Sequence, residues 1–343
     1  LEPDQVQLDA TLTSPLGNGP ISAHCNHRRD PTGTGACLLK TPKPLILNPA
    51  QNPLNLLAAP PEVQILQGKL TFSLEGQWQT QKPLQLRADL DATLQQGSVL
   101  DIPFSGLQVQ QQVQVLPQLQ SIKNGRLQLA SMGGPVPMQD LTLATRIRPD
   151  RRSRQPIVTL EQGTMRLLDG VLRLPQQCTY ALDGTPTTCM VQLDGINLES
   201  LVALHQVEGL TVSGRVRGRL PLHFSAPGLR IEHGILENEA KGGIIRYRPP
   251  TGAMENSPLT AYALTALRDL HYQHLAAQVD YQPDGTLAVA LQVRGNNPGL
   301  DNGRPVHLNL NTEQNLLSLL KSLQYSQSLS SELGRKLIKS RSP

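Results

Sequence analysis

Residues 84–94 read LQLRADLDATL, and the spacing within them decides the fold. Leu84, Leu86, Ala88, Leu90, Ala92 and Leu94 fall at every second position, with Gln85, Arg87, Asp89, Asp91 and Thr93 between them. A strand turns successive side chains to opposite faces, so this period gives one greasy face and one wet face. The pattern recurs on both sides. Leu70, Phe72, Leu74 and Trp78 alternate with Thr71, Ser73, Glu75 and Gln77. Leu107, Val109, Val113 and Val115 alternate with Gln108, Gln110, Gln112 and Gln114. Strands with one apolar face belong to antiparallel sheets.

Between such runs stand pairs that tolerate the left-handed backbone of hairpin tips: Gln96-Gly97, Asn124-Gly125, Asp169-Gly170, Asp194-Gly195 and Asp284-Gly285. They predict a meander of roughly sixteen strands. No strand–helix–strand rhythm accompanies them, which argues against a nucleotide-binding α/β fold. Three helices are expected. One is short, Leu198 to His205. Another runs from Ser257, as N-cap before Pro258, to Leu270. The third starts after Thr312, runs from Glu313 to Leu323 and continues as an amphipathic basic tail to Lys339. That tail is expected either to cap the sheet or to meet a membrane surface.

The chain has 343 residues, which suits two domains, and we expect them at 1–195 and 196–343. Aromatic residues make up only 3%, so Leu, Val and Ile supply nearly all the apolar surface. Net charge is +4, and the one dense basic run, Arg146, Arg148, Arg151, Arg152 and Arg154, lies between two strand patterns as a hairpin tip. Without interleaved aromatics to stack bases it does not point to nucleic acid. No apolar run is long enough to span a bilayer as a helix. The sequence opens in mid-alternation from Val6 to Leu12 without a signal peptide, as a piece cut from a longer chain would.

The four cysteines fall into two local pairs, Cys25 with Cys37 and Cys178 with Cys189. Pairing of this kind predicts two disulfides and an oxidising compartment. His24 and His27 flank Cys25 and leave zinc as an alternative there, but the spacing matches no standard zinc pattern, and no metal site is expected. Nucleophile elbow, Walker loop, paired zinc histidines and dinucleotide-binding glycines are all missing from the sequence. His271 and His274 read as a surface pair. Neither an enzyme nor a cofactor is expected.

Residues 208–248 carry the most specific signal. Val212, Val216, Leu220, Leu222 and Phe224 share one face with Gly214 and Gly218, while Arg215, Arg217 and Arg219 take the other. Leu229 and Ile231 then lead to a turn at His233-Gly234, and Gly242-Gly243 to a short strand from Ile244 to Tyr247. Gly214, Gly218, Pro221 and Leu222, then Ile231 and Gly234, then Gly243, Ile245, Arg246 and Tyr247 resemble in order the C-terminal part of the YdbH family. That family sits within the AsmA-like group that includes TamB. Gly295, Asn297, Pro298, Gly303, Arg304 and Pro305 extend the resemblance, which covers about residues 190–325.

The resemblance implies an elongated, U-shaped antiparallel sheet, taco-like, with an open hydrophobic groove along which phospholipid acyl chains cross the periplasm of a diderm bacterium. It implies an inner-membrane anchor elsewhere in the full protein. It also implies a small outer-membrane lipoprotein, YnbE-like, as partner at the C-terminal end. On this chain the groove would be lined by Val212, Val216, Leu220, Leu222 and Phe224 from one run. Leu287, Val289, Leu291 and Val293 come from a second, and Val306, Leu308 and Leu310 from a third. The strand Val306, His307, Leu308, Asn309 and Leu310 carries little charge, so it is a poorly protected edge where a partner strand would add. The competing expectations are a scaffold for outer-membrane protein assembly and a closed, purely structural β protein.

Overall fold

The computed structural model describes residues 5–13, 18–53, 63–99, 101–134, 136–150, 155–181, 185–205, 208–225, 228–248, 258–300 and 303–315. Among them are twenty strands and two short helices, and the strand pairings are antiparallel. The chain divides into two compact units, residues 1–167 with 171–189, and residues 168–170 with 190–343.

The first unit opens with β1 (Gln5–Thr13), β2 (Pro20–Arg28), β3 (Gly35–Lys40) and β4 (Leu45–Leu47). Long strands follow: β5 (Val63–Trp78), β6 (Gln85–Val99), β7 (Ile102–Leu116), β8 (Gln120–Met132), β9 (Met138–Pro149) and β10 (Pro156–Leu167). Two short ones close the series, β11 (Gly170–Arg173) and β12 (Cys178–Ala181). Each long strand pairs with the next, β3 and β4 both lie along β5, and β12 lies along β10. Register converts alternation into rows. Leu70 faces Ala92, Ala92 faces Val109, Val109 faces Leu127 and Leu127 faces Leu143. The tightest packing is at one end of this face, where Leu45 and Leu47 are sealed against Ile65 and Leu70. Burial of each such leucine contributes about 1.5–3 kcal/mol. The rest of the face has less cover, and Leu90 is 37% exposed.

The second unit takes up the chain with β13 (Thr187–Asn197), α1 (Leu198–His205) and β14 (Leu210–Val212). It continues with β15 (Arg215–Ser225), β16 (Gly228–Asn238), β17 (Gly243–Tyr247), α2 (Pro258–Leu267), β18 (Leu270–Tyr281), β19 (Thr286–Asn296) and β20 (Pro305–Asn315). The ladder runs β15–β16–β18–β19–β20, with β17 pairing β18 at its start and β14 pairing β17. Among the described residues β1 pairs with β2 alone and β20 with β19 alone, so the twenty-stranded sheet does not close into a barrel.

Both expected disulfides are present. Cys25 stands directly opposite Cys37 on the β2–β3 ladder, and Cys178 is bonded to Cys189. With its sulfur committed to Cys37, Cys25 offers no thiolate to a metal, and His24 instead meets Asp9 across the β1–β2 ladder. Of the basic run, Arg151, Arg152 and Arg154 lie outside the described residues. The other two arginines of that run, Arg146 and Arg148, point from β9 at Glu161, with N–O distances of 3.1 and 3.5 Å.

Several sequence expectations need correction. Asp169-Gly170 and Asp284-Gly285 do sit at turns, but Gln96-Gly97, Asn124-Gly125, Asp194-Gly195 and His233-Gly234 lie inside β6, β8, β13 and β16. Gly97, Gly125 and Gly234 serve close approach rather than reversal, and Gly195 supplies a φ of +67° within its strand. A Cβ on Gly97 would stand 2.4 Å from the ring of Phe104, and one on Gly125 would collide with the amide of Gln111. His233 has a φ of +54° and marks a bulge, held by its N–H donating 2.7 Å to the Asp280 carboxylate. The helix expected to reach Leu270 ends at Leu267, because Leu270 already pairs with Ile245. The helix expected from Glu313 does not begin there. β20 continues to Asn315, since β19 extends to Thr286 and offers it a ladder partner. The remainder of the expected tail, 316–343, lies outside the described residues.

Candidate functional site

The feature that singles out the second unit is its apolar face. In an antiparallel pair, residues directly opposite each other project to the same side. The registers therefore trace rows across five strands. Gly218 faces Leu236, which faces Ala277, Leu291 and Leu310 in turn. Two rows along, Leu222 faces Ile231, then Tyr281, then Leu287. Between them Gly234, Val279 and Val289 form a third. The opposite face carries Arg217, Glu237, Gln292 and Asn309 in one row, and Arg219, Gln278 and Asn311 in another. Ile235, 53% exposed, is a large apolar exception on that side.

Of the residues picked from sequence, Val216, Leu222, Leu287, Val289, Leu291, Val293, Val306, Leu308 and Leu310 come together on this ladder. Leu220 and Phe224 belong to the same strand and the same alternation. Val212 arrives by a different route. The run from 212 to 224 is not one strand, because Gly214 breaks it with a φ of +118°. Val212 instead faces Ile245 on β17, and Ile245 faces Leu270 on β18.

The reason for that break is Tyr272. Its hydroxyl donates to the Ser213 carbonyl at 2.8 Å, and the residue is almost fully buried. A Cβ on Gly214 or Gly243 would fall 2.1 or 2.5 Å from that hydroxyl. The glycines of the sequence motif thus make the space in which one tyrosine ties β14, β17 and β18 together. Burial pushes the phenol above its ordinary pKa, so it stays a donor.

Cover along the apolar face is graded. Val216, Leu275, Val293 and Leu308 fall in the region where the face is most deeply buried, Val293 at 1% exposure and Leu308 at 8%. Helix α2 leads directly into β18 at this end and is tied down by Asn297, whose side-chain amide donates to the Thr265 and Ala266 carbonyls at 3.2 and 3.1 Å. Toward the other end the same strands open. Leu222, Val279, Leu287, Val289 and Leu291 are half-buried, and Leu310 is 43% exposed.

Two polar intrusions on apolar faces escaped sequence reading. Asn238 stands opposite Val216, where its side chain accepts from the Leu275 N–H at 2.7 Å and donates to the Gln273 carbonyl at 3.0 Å. It thereby satisfies backbone groups freed by the β18 bulge. In the first unit Gln111 faces Leu90, with its amide donating to the Ser121 hydroxyl at 3.0 Å and accepting from the Thr145 hydroxyl at 3.2 Å. The signal was there: Gln111 holds the apolar phase between Val109 and Val113.

The electrostatics offer little for acid–base chemistry. The carboxylates with displaced pKa values, Asp30, Asp169, Asp269, Asp280 and Asp284, are all lowered, chiefly by hydrogen bonds to the charged form. A general acid needs the opposite shift. Among the described residues no three metal-ligating side chains converge, and no helix is long and apolar enough to cross a membrane.

Comparison with known proteins gives one assignment. The family model described as YdbH-like, intermembrane phospholipid transport protein YdbH, matches residues 4–337. No curated protein and no solved structure matches the chain. A match over nearly the whole chain settles membership: the protein belongs to the YdbH-like family of intermembrane phospholipid transport proteins, a lipid-transport family and not an enzyme family.

Proposed function

We propose that phospholipid acyl chains lie on the apolar face of this protein, along an open hydrophobic groove. Family membership supplies the coarse part: phospholipid is the transported ligand, and the site of action is the cell envelope. The two disulfides are consistent with an oxidising compartment such as the periplasm. The finer reading is a U-shaped trough bridging the inner and outer membranes of a diderm bacterium, with Val216, Leu222, Leu291 and Leu310 among its lining residues.

The observation that carries this reading is the row Gly218, Leu236, Ala277, Leu291 and Leu310 on a sheet that does not close. An apolar face must be buried against something. Acyl chains suit an aliphatic bed because they ask for no hydrogen bonds, and lateral movement along it breaks none. Extraction of lipid from the purified protein, read by mass spectrometry, should return diacyl phospholipid. A folded protein free of phospholipid would overturn the reading in favour of an envelope scaffold.

The same reading assigns the free side of β20 to a partner, a small YnbE-like lipoprotein of the outer membrane adding a strand by β-augmentation. Backbone N–H groups along an edge strand point alternately to the ladder and away from it. Proline placed singly from His307 to Leu310 should therefore abolish partner capture at the outward-pointing positions while the fold survives. Capture that persists in every folded proline variant would move the interface elsewhere.

A further inference from the structure

We infer that β20 pairs antiparallel with β20 of a second copy of this chain, about a two-fold axis at Leu310. An unpaired strand edge is a template for another strand, and proteins that keep one apart set lysine, proline or a bulge on it. From Val306 to Asn315 β20 carries none of these, and its register with β19 is unbroken from Pro305 to Asn315. The order of side chains along the strand chooses the occupant. Directly opposite residues share a face. The two-fold therefore sets Leu310 against Leu310 of the copy, Asn309 against Asn311, Leu308 against Thr312 and His307 against Glu313. Leu310 is 43% exposed, and this pairing covers it with its own kind and carries the row from Leu291 across into the copy.

The wet face is self-complementary as well. Arg294 stands opposite His307 on β19, so a guanidinium and an imidazole mark one end of the edge, and Glu313 marks the other. All three are exposed, and none enters an ion pair among the described residues. Two strand spacings, about 9.6 Å, separate Arg294 from Glu313 of the copy, a gap the two long side chains close over His307. An isologous interface makes this contact twice. The same register engages every residue of β20, whereas a shift of two either way leaves Glu313 opposite Pro305 or Asn309. The pairing does not depend on lipid. Its consequence rests on the proposed function: the copy holds the edge assigned there to a partner strand, which must displace it.

A cysteine on the axis tests the pairing in the full chain, whose own cysteines are all bonded. Leu310→Cys sets two thiols directly opposite, with Cα atoms about 4.5–5.5 Å apart, which a disulfide spans. Mild oxidation should give a cross-linked dimer on a non-reducing gel. Thr312→Cys, about 14 Å from its mate, should give about tenfold less. Sedimentation then tests the charges. Glu313→Arg, or Arg294→Glu with His307→Glu, should each weaken the dimer about tenfold or more, because like charges then meet twice. An equimolar mixture of the two variants should restore it, which also shows that both fold. Lipid content measured on the monomeric variants tests the acyl-chain reading separately. Monomer at every concentration, equal cross-linking from positions 310 and 312, or no recovery in the mixture would each overturn the inference.

Discussion

Val293 and Leu310 belong to neighbouring strands of one apolar face, yet the first is 1% exposed and the second 43%. Their sequence contexts look alike, LQVRG against HLNLN, each an aliphatic residue between polar ones. What separates them is position along the strands. Val293 lies toward the end where α2 is fastened by Asn297, and Leu310 lies toward the end where no helix of the described residues packs. The same alternation therefore makes a core at one end and a usable surface at the other. A family that moves lipid needs both, a fixed foundation and an aliphatic bed that stays available.

This contrast ranks the effects of substitution. The largest should come from Val293→Asp, which places a carboxylate with no partner in the sealed region. Loss of valine burial together with an unpaired polar group should cost at least about 3 kcal/mol, seen as a collapse of the denaturation midpoint. A variant as stable as the parent would show that this end is not a core. Next comes Asn297→Ala. It removes the two hydrogen bonds that hold α2, and with net worths near 1 kcal/mol apiece it should lower stability by about 1–2 kcal/mol. It should also speed hydrogen exchange in α2 and at the start of β18, whereas unchanged exchange there would mean that α2 is held by other contacts.

Leu291→Glu sharpens the comparison from the open side. Its half-exposed position lets a carboxylate reach water, so stability should fall by no more than about 1 kcal/mol. Co-purifying phospholipid should nevertheless drop sharply, because a charge on the bed excludes acyl chains. Retention of normal lipid by the folded variant would place the lipid elsewhere. The smallest expected effect is on pH. The Arg246 guanidinium donates to Asp269 at 2.7 Å and holds its carboxyl below the ordinary range, with His271 adding to the shift. A lowered folded-state pKa contributes stability above the ordinary carboxylate value, and that stability is lost as pH falls through the folded-state value. Asp269→Asn should remove a small acid-side slope from the stability profile. Because the pair is exposed to solvent the change should be slight, and a large one would mean that the β17–β18 junction depends on it.

Much of this was legible beforehand. Alternation gave the antiparallel class, the faces of β6, β7, β15, β19 and β20, and the short helix α1. Local spacing gave both disulfides. Boundaries were harder, and the misreadings share a cause. Strands β5, β6 and β7 run 16, 15 and 15 residues, well beyond the usual five or six. A Gln-Gly or Asn-Gly pair inside so long a strand looks like a hairpin tip, although the glycine is there for a ring or an amide lying over it. Nothing local to Gly97 announces Phe104, which meets it only through the β6–β7 register. The strand break at Gly214 likewise depends on Tyr272, far along the sequence. The apolar face itself was readable from period two. Its gradation was not, because exposure depends on tertiary packing that the local pattern does not encode.

The account is tested most directly at two adjacent residues. Leu291 belongs to the apolar row and Gln292 to the polar row with Arg217 and Asn309, so neighbouring positions on one strand sample opposite faces. A photo-reactive residue placed at each in turn, in cells and without added lipid, should capture phospholipid from position 291 and little or none from position 292. Equal capture at both positions, or capture from 292 alone, would contradict the claim that acyl chains travel on this face.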